Sequence, residues 1–310
     1  MKILLATDGS PSARQAEDLA ATTSWPSGTE IDALCVDQLL DRKIDRETQR
    51  FLDAHDVMRR AIDDRLAALV ERLDGPGRTV RARVVFGRPA TAIVDEAREL
   101  GSELIIIGTH NHGALAAFTL GSVAAEVVDH SPCPVLVARR PTLGPIVLGH
   151  DGSAGARQAE ELVASWPFLA RETIRVVSVS PLLAPWYAGA TVGMGPVIDG
   201  DFLQALLDEQ HAELRRTADA AAARLVERGV RATADTRDGS AADGLLDAIA
   251  DAKAELVVVG SRGNTGLTRL LLGSVARTVL YQARCSVLIV RETKRVPPVA
   301  AAREHAIALV

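Results

Sequence analysis

The chain has no apolar run of the ~18–20 residues that a membrane-spanning helix needs, so a membrane partner is not expected. Met1-Lys2 leads straight into a short strand that ends at Asp8, so no signal peptide is expected. The three cysteines, Cys35, Cys133 and Cys285, are far apart and form no CxxC. That excludes a disulfide framework and fits a reducing cytoplasm. Lysine is scarce: Lys2, Lys43, Lys253 and Lys294 are all there are, and none sits in a glycine loop. A Walker A loop, which needs Gly-Lys-Ser/Thr, is therefore excluded. A formal charge of −5 argues against nucleic acid as the main partner.

What the chain does have is hydrophobic content, 47% of 310 residues, enough for about two domains. Short apolar runs alternate with helical segments. Ile3–Ala6, Ile31–Val36, Val80–Val85, Glu103–Ile107 and Pro134–Ala138 read as strands, the fourth and fifth continuously apolar. Helices fall between them: about Ser12 to Ser24, Arg46 to Leu73, Ala90 to Leu100, and Ser122 to Asp129. The apolar set of the long helix is Phe51, Val57, Ile62, Leu66, Leu69, Val70 and Leu73. This alternation predicts an α/β fold with a parallel sheet covered on both faces.

After a linker at residues 139 to 145 the chain starts again. Asp151-Gly152-Ser153 repeats Asp8-Gly9-Ser10, and Ser165-Trp166-Pro167 repeats Ser24-Trp25-Pro26. The offset is 143 at the start (151−8) and 152 from the third strand onward (260−108, 273−121, 285−133), a net insertion of nine residues (152−143). The obvious place for it is the glycine-rich stretch Ala184 to Asp201, a candidate lid or docking loop. The expected division is therefore residues 1–140, 145–292 and a tail from 293 to 310.

The chemistry gathers in the stretch from Gly260 to Ser274, GSRGNTGLTRLLLGS, which follows the apolar run Leu256–Val259 and precedes a helix. Gly260 and Gly263 allow a sharp turn and close approach to a ligand. Gly273-Ser274 opens a helix whose N–H groups suit phosphate, with Ser274 as cap or hydroxyl donor. Arg262 and Arg269 add positive charge. The first half repeats the pattern from Gly108 to Ser122, with Asn111 in place of the second glycine. Asn tolerates positive φ best among non-glycine residues, so the turn can survive. His110 and His112 lack a third ligand in view and are not read as a metal pair. Cys133 and Cys285 read as small buried residues at strand starts, and the side chain of His150 should alternate away from Asp151.

The pattern Gly-x-x-Gly, nine residues, Gly-Ser, beside an Asp that ends the first strand, resembles the universal stress protein family in its tandem-domain form. The resemblance covers both halves. It implies two Rossmann-like domains with five parallel strands, each binding ATP, with or without Mg²⁺. The positions that match the family's ribose and phosphate loop are Gly260, Ser261, Arg262, Gly263, Gly273, Ser274 and Val275. Asp151, with Gly152 beside it, matches the carboxylate that holds the nucleoside, and Val179 matches the valine whose backbone reads adenine. The first-half counterparts are Asp8, Gly9, Val36, Gly108, Thr109, His110, Asn111, Gly121, Ser122 and Val123. Family topology places the fifth strands at sheet edges, where they are expected to pair antiparallel within the chain; a homodimer of the whole chain is the further option. The implied function is a cytoplasmic nucleotide-dependent stress regulator with at most slow hydrolysis and no catalytic residues of its own. A nucleotide hydrolase or AMP-transferring enzyme on a related fold, and an ATP-independent interaction module, are the rival readings.

Overall fold

The computed structural model describes residues 1–37, 49–109, 120–180, 200–263 and 272–291. The first half runs β1 (Lys2–Ala6), α1 (Pro11–Thr22), β2 (Thr29–Asp37), α2 (Gln49–Leu73), β3 (Arg78–Phe86), α3 (Pro89–Leu100), β4 (Leu104–Gly108), α4 (Ser122–His130) and β5 (Val135–Ala138). The second runs β6 (Ile146–Gly149), α5 (Ala154–Ser165), α6 (Pro167–Ala170), β7 (Thr173–Ser180), α7 (Gly200–Glu227), β8 (Arg231–Asp238), α8 (Ala241–Asp251), β9 (Leu256–Gly260), α9 (Ser274–Gln282) and β10 (Ser286–Val290). The nine-residue insertion lies almost wholly outside the described residues, with α7 beginning at Gly200. The tail from residue 293 also lies outside them.

Within each half the strands are parallel, in the order β3-β2-β1-β4-β5 and its repeat β8-β7-β6-β9-β10. The first strand of each half has the second on one side and the fourth on the other, so strand order reverses there. In an open parallel sheet that reversal opens a crevice at the carboxyl ends of the strands. Period-two alternation explains why these strands are apolar throughout. Ile3 and Leu5 join one core while Leu4 and Ala6 join the other, and Leu104/Ile106 and Ile105/Ile107 divide the same way. Helices α1, α2, α5 and α7 supply the first core, and α3, α4, α8 and α9 the second. Each core contains residues of both halves, Leu5 with Leu148 on one face and Leu4 with Val147 on the other.

One part of the expected helix pattern fails. Leu66, Leu69 and Leu73 of α2 are buried, but Val57 is 68% exposed. Val57 stands nine residues before Leu66 (66−57), about 180° round the helix from it at ~100° per residue, so it lies on the face opposite the buried stripe.

The two halves meet as expected: β5 pairs antiparallel with β10, with Val135↔Ile289, Leu136↔Leu288 and Val137↔Val287 in register. Ten strands thus form one sheet, and the strands that would be edges become its centre. The junction is reinforced reciprocally. Arg139, just after β5, donates from Nη2 to the Leu280 carbonyl (2.6 Å) in the last turn of α9. Arg291, just after β10, donates to the Ser131 carbonyl (3.3 Å) at the end of α4. Each arginine meets carbonyls left open at a helix C-terminus of the other half. Burial pushes the Arg139 guanidinium down to about 10, so it remains charged at neutral pH. On the face of α1 and α5, Phe168 packs edge-on against Trp25 at 4.7 Å and stacks on Trp166 at 5.4 Å.

Because Leu136 and Leu288 face each other, almost fully buried, at the centre of this junction, Leu136→Lys should cost at least the ~2–5 kcal/mol of a large-to-small core change. We expect a fall in Tm of about 3–8 °C for a chain of this size. Calorimetric melting of Leu136→Lys and Leu288→Lys checks this, and unchanged melting would exclude the β5–β10 pairing as a stabilising contact.

Candidate functional site

Each half begins its site with Asp-Gly-Ser, and the structure gives every one of those residues a local reason. Asp8 Oδ1 accepts from the Ser10 N–H (2.9 Å) and Asp151 Oδ1 from the Ser153 N–H (3.0 Å), a side-chain turn that holds each carboxylate at the strand end. Gly9 and Gly152 sit at φ +76° and +77°, which a side chain would strain. Ser10 and Ser153 cap α1 and α5, accepting from the Ala13 and Ala156 N–H groups. Gly9 and Gly152 are thus turn residues first. At Gly9 a Cβ would also collide with Arg65 of α2.

Gly108 and Gly260, expected to let backbone approach a ligand, have a packing role besides. A Cβ at Gly108 would lie 2.6 Å from the carbonyl carbon of Ser12, and one at Gly260 would lie 2.5 Å from that of Gly155. These glycines let the end of β4 or β9 lie against the first turn of α1 or α5. Gly263 does face the site: a Cβ there would lie 2.7 Å from Asp151 Oδ2. The loop thus returns to the carboxylate of the first strand, and the Ser153 hydroxyl meets the Arg262 carbonyl at 3.5 Å. A backbone bond closes each loop, Gly121 N–H to Thr109 C=O (2.6 Å) and Gly273 N–H to Ser261 C=O (2.9 Å). The caps of α4 and α9 are Gly121 and Gly273 themselves, without a side-chain cap bond, so Ser122 and Ser274 are first-turn residues rather than caps.

In the first half these pieces enclose a cavity of about 550 Å³ at the carboxyl ends of β1, β2 and β4. Of the sequence-predicted residues, Asp8 and Val36 line one part of it, and Gly108, Thr109, Gly121, Ser122 and Val123 line the loop and α4 part. Gly9 is not in the lining. His110 and Asn111 lie outside the described residues, as do His112 and Arg269. In the second half Ser261, Arg262 and Gly263 follow β9, Ser274 and Val275 open α9, and the Val179 side chain packs toward Gly244 of α8. Sequence reading missed the wall made by Arg88, Pro89, Ala90 and Ile93 of α3 and Glu126 of α4. The available signal was positional: α3 starts where β3 ends, at the same end of the sheet as the crevice. The cysteines stay outside this chemistry. All three are free and buried, and burial pushes the Cys133 thiol up to about 12 and Cys285 up to about 11.

Behind each turn lies a buried carboxylate. Glu17 accepts from the Thr7 hydroxyl (2.5 Å) and pairs with Arg72 of α2 (2.5 Å). Glu160 is gripped at both oxygens by Arg224 of α7 (2.7 Å each). The strand residue equivalent to Thr7 is His150 (150−7 = 143), whose Nε2 lies 3.1 Å from Glu160 Oε2 but outside hydrogen-bonding alignment. Thr7 Oγ1 and His150 Nδ1 each accept the N–H of the turn glycine, Gly9 or Gly152. Burial holds the His150 imidazolium below its ordinary 6.5, the nearby Glu160 carboxylate opposing and Arg224 reinforcing the shift, with Asp151 a further opposing charge.

A base with a depressed folded pKa stabilises the fold above its unfolded pKa, and that contribution is lost as pH falls below it. Stability should therefore drop below pH ~6.5, with a limiting slope of ~1.4 kcal/mol per pH unit for one proton. His150→Thr, which installs the first-half residue, should flatten that loss. Urea denaturation from pH 7.5 to 5.5 measures it, and parallel profiles for the two proteins would rule it out.

The described residues contain no helix long and apolar enough to cross a membrane, and no cluster of three or more metal-ligating side chains. Comparison with known proteins agrees with the repeat. A universal stress protein of Mycobacterium tuberculosis is 29% identical over 231 residues, covering 69% of this chain and 70% of that protein. One from Methanocaldococcus jannaschii is 31% identical over 156 residues, covering 48% of this chain and 83% of that protein. The crystal structure of a universal stress protein from Archaeoglobus fulgidus superposes with a TM-score of 0.64 at 18% identity, covering 94% of this chain and 98% of that one, a likeness of fold. The family model described as Universal stress protein family matches twice, over residues 1–139 and 143–291, and the chain belongs to that family with its domain in tandem.

Proposed function

We propose that this protein is a cytoplasmic, ATP-binding stress regulator with one nucleotide site per half. The observation that carries the reading is the first-half cavity, where a strand-end carboxylate, a strand-two valine and the N-terminus of α4 meet in one space. Helix N-termini favour phosphate through free N–H groups and the dipole. The apolar wall of Leu34, Val36 and Ile93 suits a base, and Asp8 suits a ribose hydroxyl. Mg²⁺ bound with ATP would neutralise phosphate charge, and Asp8 offers an oxygen donor of the hard kind that ion takes. At most slow hydrolysis is expected, because Asp8 is assigned to the nucleoside and is not left to act as a general base. The second half reproduces the same turn, loop closure and glycine cap.

The glycine caps provide the test. Gly273 has φ −60°, and a Cβ there makes only ordinary contacts, the nearest at 3.4 Å. Gly121 has φ −70°. Aspartate is a preferred N-cap, so Gly273→Asp and Gly121→Asp should leave Tm unchanged or slightly raised while placing a carboxylate where phosphate would bind. Calorimetric titration with ATP should give two sites in the wild type and one in each variant. Absence of any adenine-nucleotide binding would favour the interaction module, and steady ATP turnover the hydrolase.

A further inference from the structure

The mouth of the first cavity carries a charge pair that the second half does not repeat. Arg88 Nη2 lies 3.0 Å from Glu126 Oε2, and both residues line the cavity. At the constant offset of 152 their counterparts are Ser240 and Thr278 (240−88, 278−126). The loop shows the reverse exchange, with Arg262 in the second half where the first has His110 (262−110 = 152). Each half therefore carries an arginine on a different element at this end of its sheet, the glycine loop in one and the start of α3 in the other.

The pair is built to be exchanged. Arg88 is the N-cap residue of α3, ahead of Pro89, so its backbone is fixed while its side chain, 69% exposed, is free to swing. An ion pair this exposed is weak. Glu126 stands four residues beyond Ser122 on α4, one helical turn or ~5.4 Å from the N-terminus at which phosphate would sit. Arginine spans such a distance, and its planar fork matches phosphate better than it matches a single carboxylate oxygen. Without Arg88, the ionisable groups of the described lining are Asp8 and Glu126, both acidic, and a polyanion would be repelled.

We propose that Arg88 is the phosphate-selecting residue of the first site: it leaves Glu126 for the phosphates of a nucleoside di- or triphosphate, and Glu126 competes with the ligand for it. This rests on the nucleotide-binding reading. The experiment uses the full chain carrying Gly273→Asp, which isolates the first site, and titrates ATP and adenosine by calorimetry at low and high salt. Arg88→Gln should weaken ATP about tenfold, the loss of one charge-assisted contact, and leave adenosine unchanged. Glu126→Gln should tighten ATP, with the gain shrinking at high salt. Equal loss of ATP and adenosine in Arg88→Gln, unchanged ATP in that variant, or weaker ATP in Glu126→Gln would each overturn the proposal. If the wild type binds nucleotide but the Gly273→Asp chain does not, the proposal fails while the second site stands. If the wild type binds none, the nucleotide reading itself has failed.

Discussion

A buried carboxylate is the constraint around which each half is arranged. Glu17 and Glu160 are enclosed midway along α1 and α5, and an enclosed carboxylate is costly unless its oxygens are paired. Arg72 and Arg224 reach in from the long helices, and Thr7 and His150 from the ends of the first strands. Three elements are thereby tied to one point on the sheet. The strand residue that meets the carboxylate also holds the N–H of the turn glycine. That turn aims Asp8 and Asp151. The positions of Asp8 and Asp151 are therefore set from beneath, in the first half by an ion pair outside the cavity lining. Replacing the hydroxyl of Thr7 with the imidazole of His150 keeps the glycine bond but adds a titratable group, so the same scaffold acquires a different response to acid.

Much of this was legible in the sequence, because the repeat states each feature twice. Asp8 and Asp151, the closing glycines Gly121 and Gly273, the apolar fourth and fifth strands and the antiparallel junction could be read from spacing or from family resemblance. What escaped depends on distances across the fold. Gly108 and Gly260 look like ligand-loop glycines, yet they are small because a helix turn presses on them. Such a neighbour is more than ninety residues away in sequence and leaves no local mark. Val57 belongs to the apolar set of α2 but lies on the face opposite Leu66, in solvent. Ser122 and Ser274 look like caps, but the glycine before each already has the extended cap conformation. Arg88 and Glu126 are 38 residues apart, and nothing in their flanking residues shows that they meet.

The antiparallel junction also decides how the two sites relate. Within each half the strands run parallel, so the crevice lies at their carboxyl ends; across the β5–β10 pair the direction reverses. The two crevices therefore open at opposite ends of the sheet. They cannot share a ligand, and a substitution at one rim does not touch the other. Coupling between them would have to pass through the two cores, which both run through both halves.

Separation of this kind leaves each rim free to change while the frame is held, and the paired positions show that division. Much of the interior repeats, Leu73 with Leu225, Cys133 with Cys285, and Arg72 with Arg224 on the equivalent buried carboxylate, the exchange of Thr7 for His150 being the exception. The exposed pairs do not. Where Arg59 lies 5.5 Å over the Phe86 ring, the second half has His211 Nε2 at 3.0 Å from Asp238 Oδ1. Where Arg88 meets Glu126, it has Ser240 and Thr278. Interior changes are limited by packing, since a missing methylene is felt throughout a dense core. Exposed pairs contribute little to stability, so they are replaced without unfolding the domain. The two halves therefore share one architecture and differ in the side-chain pairs that packing constrains least.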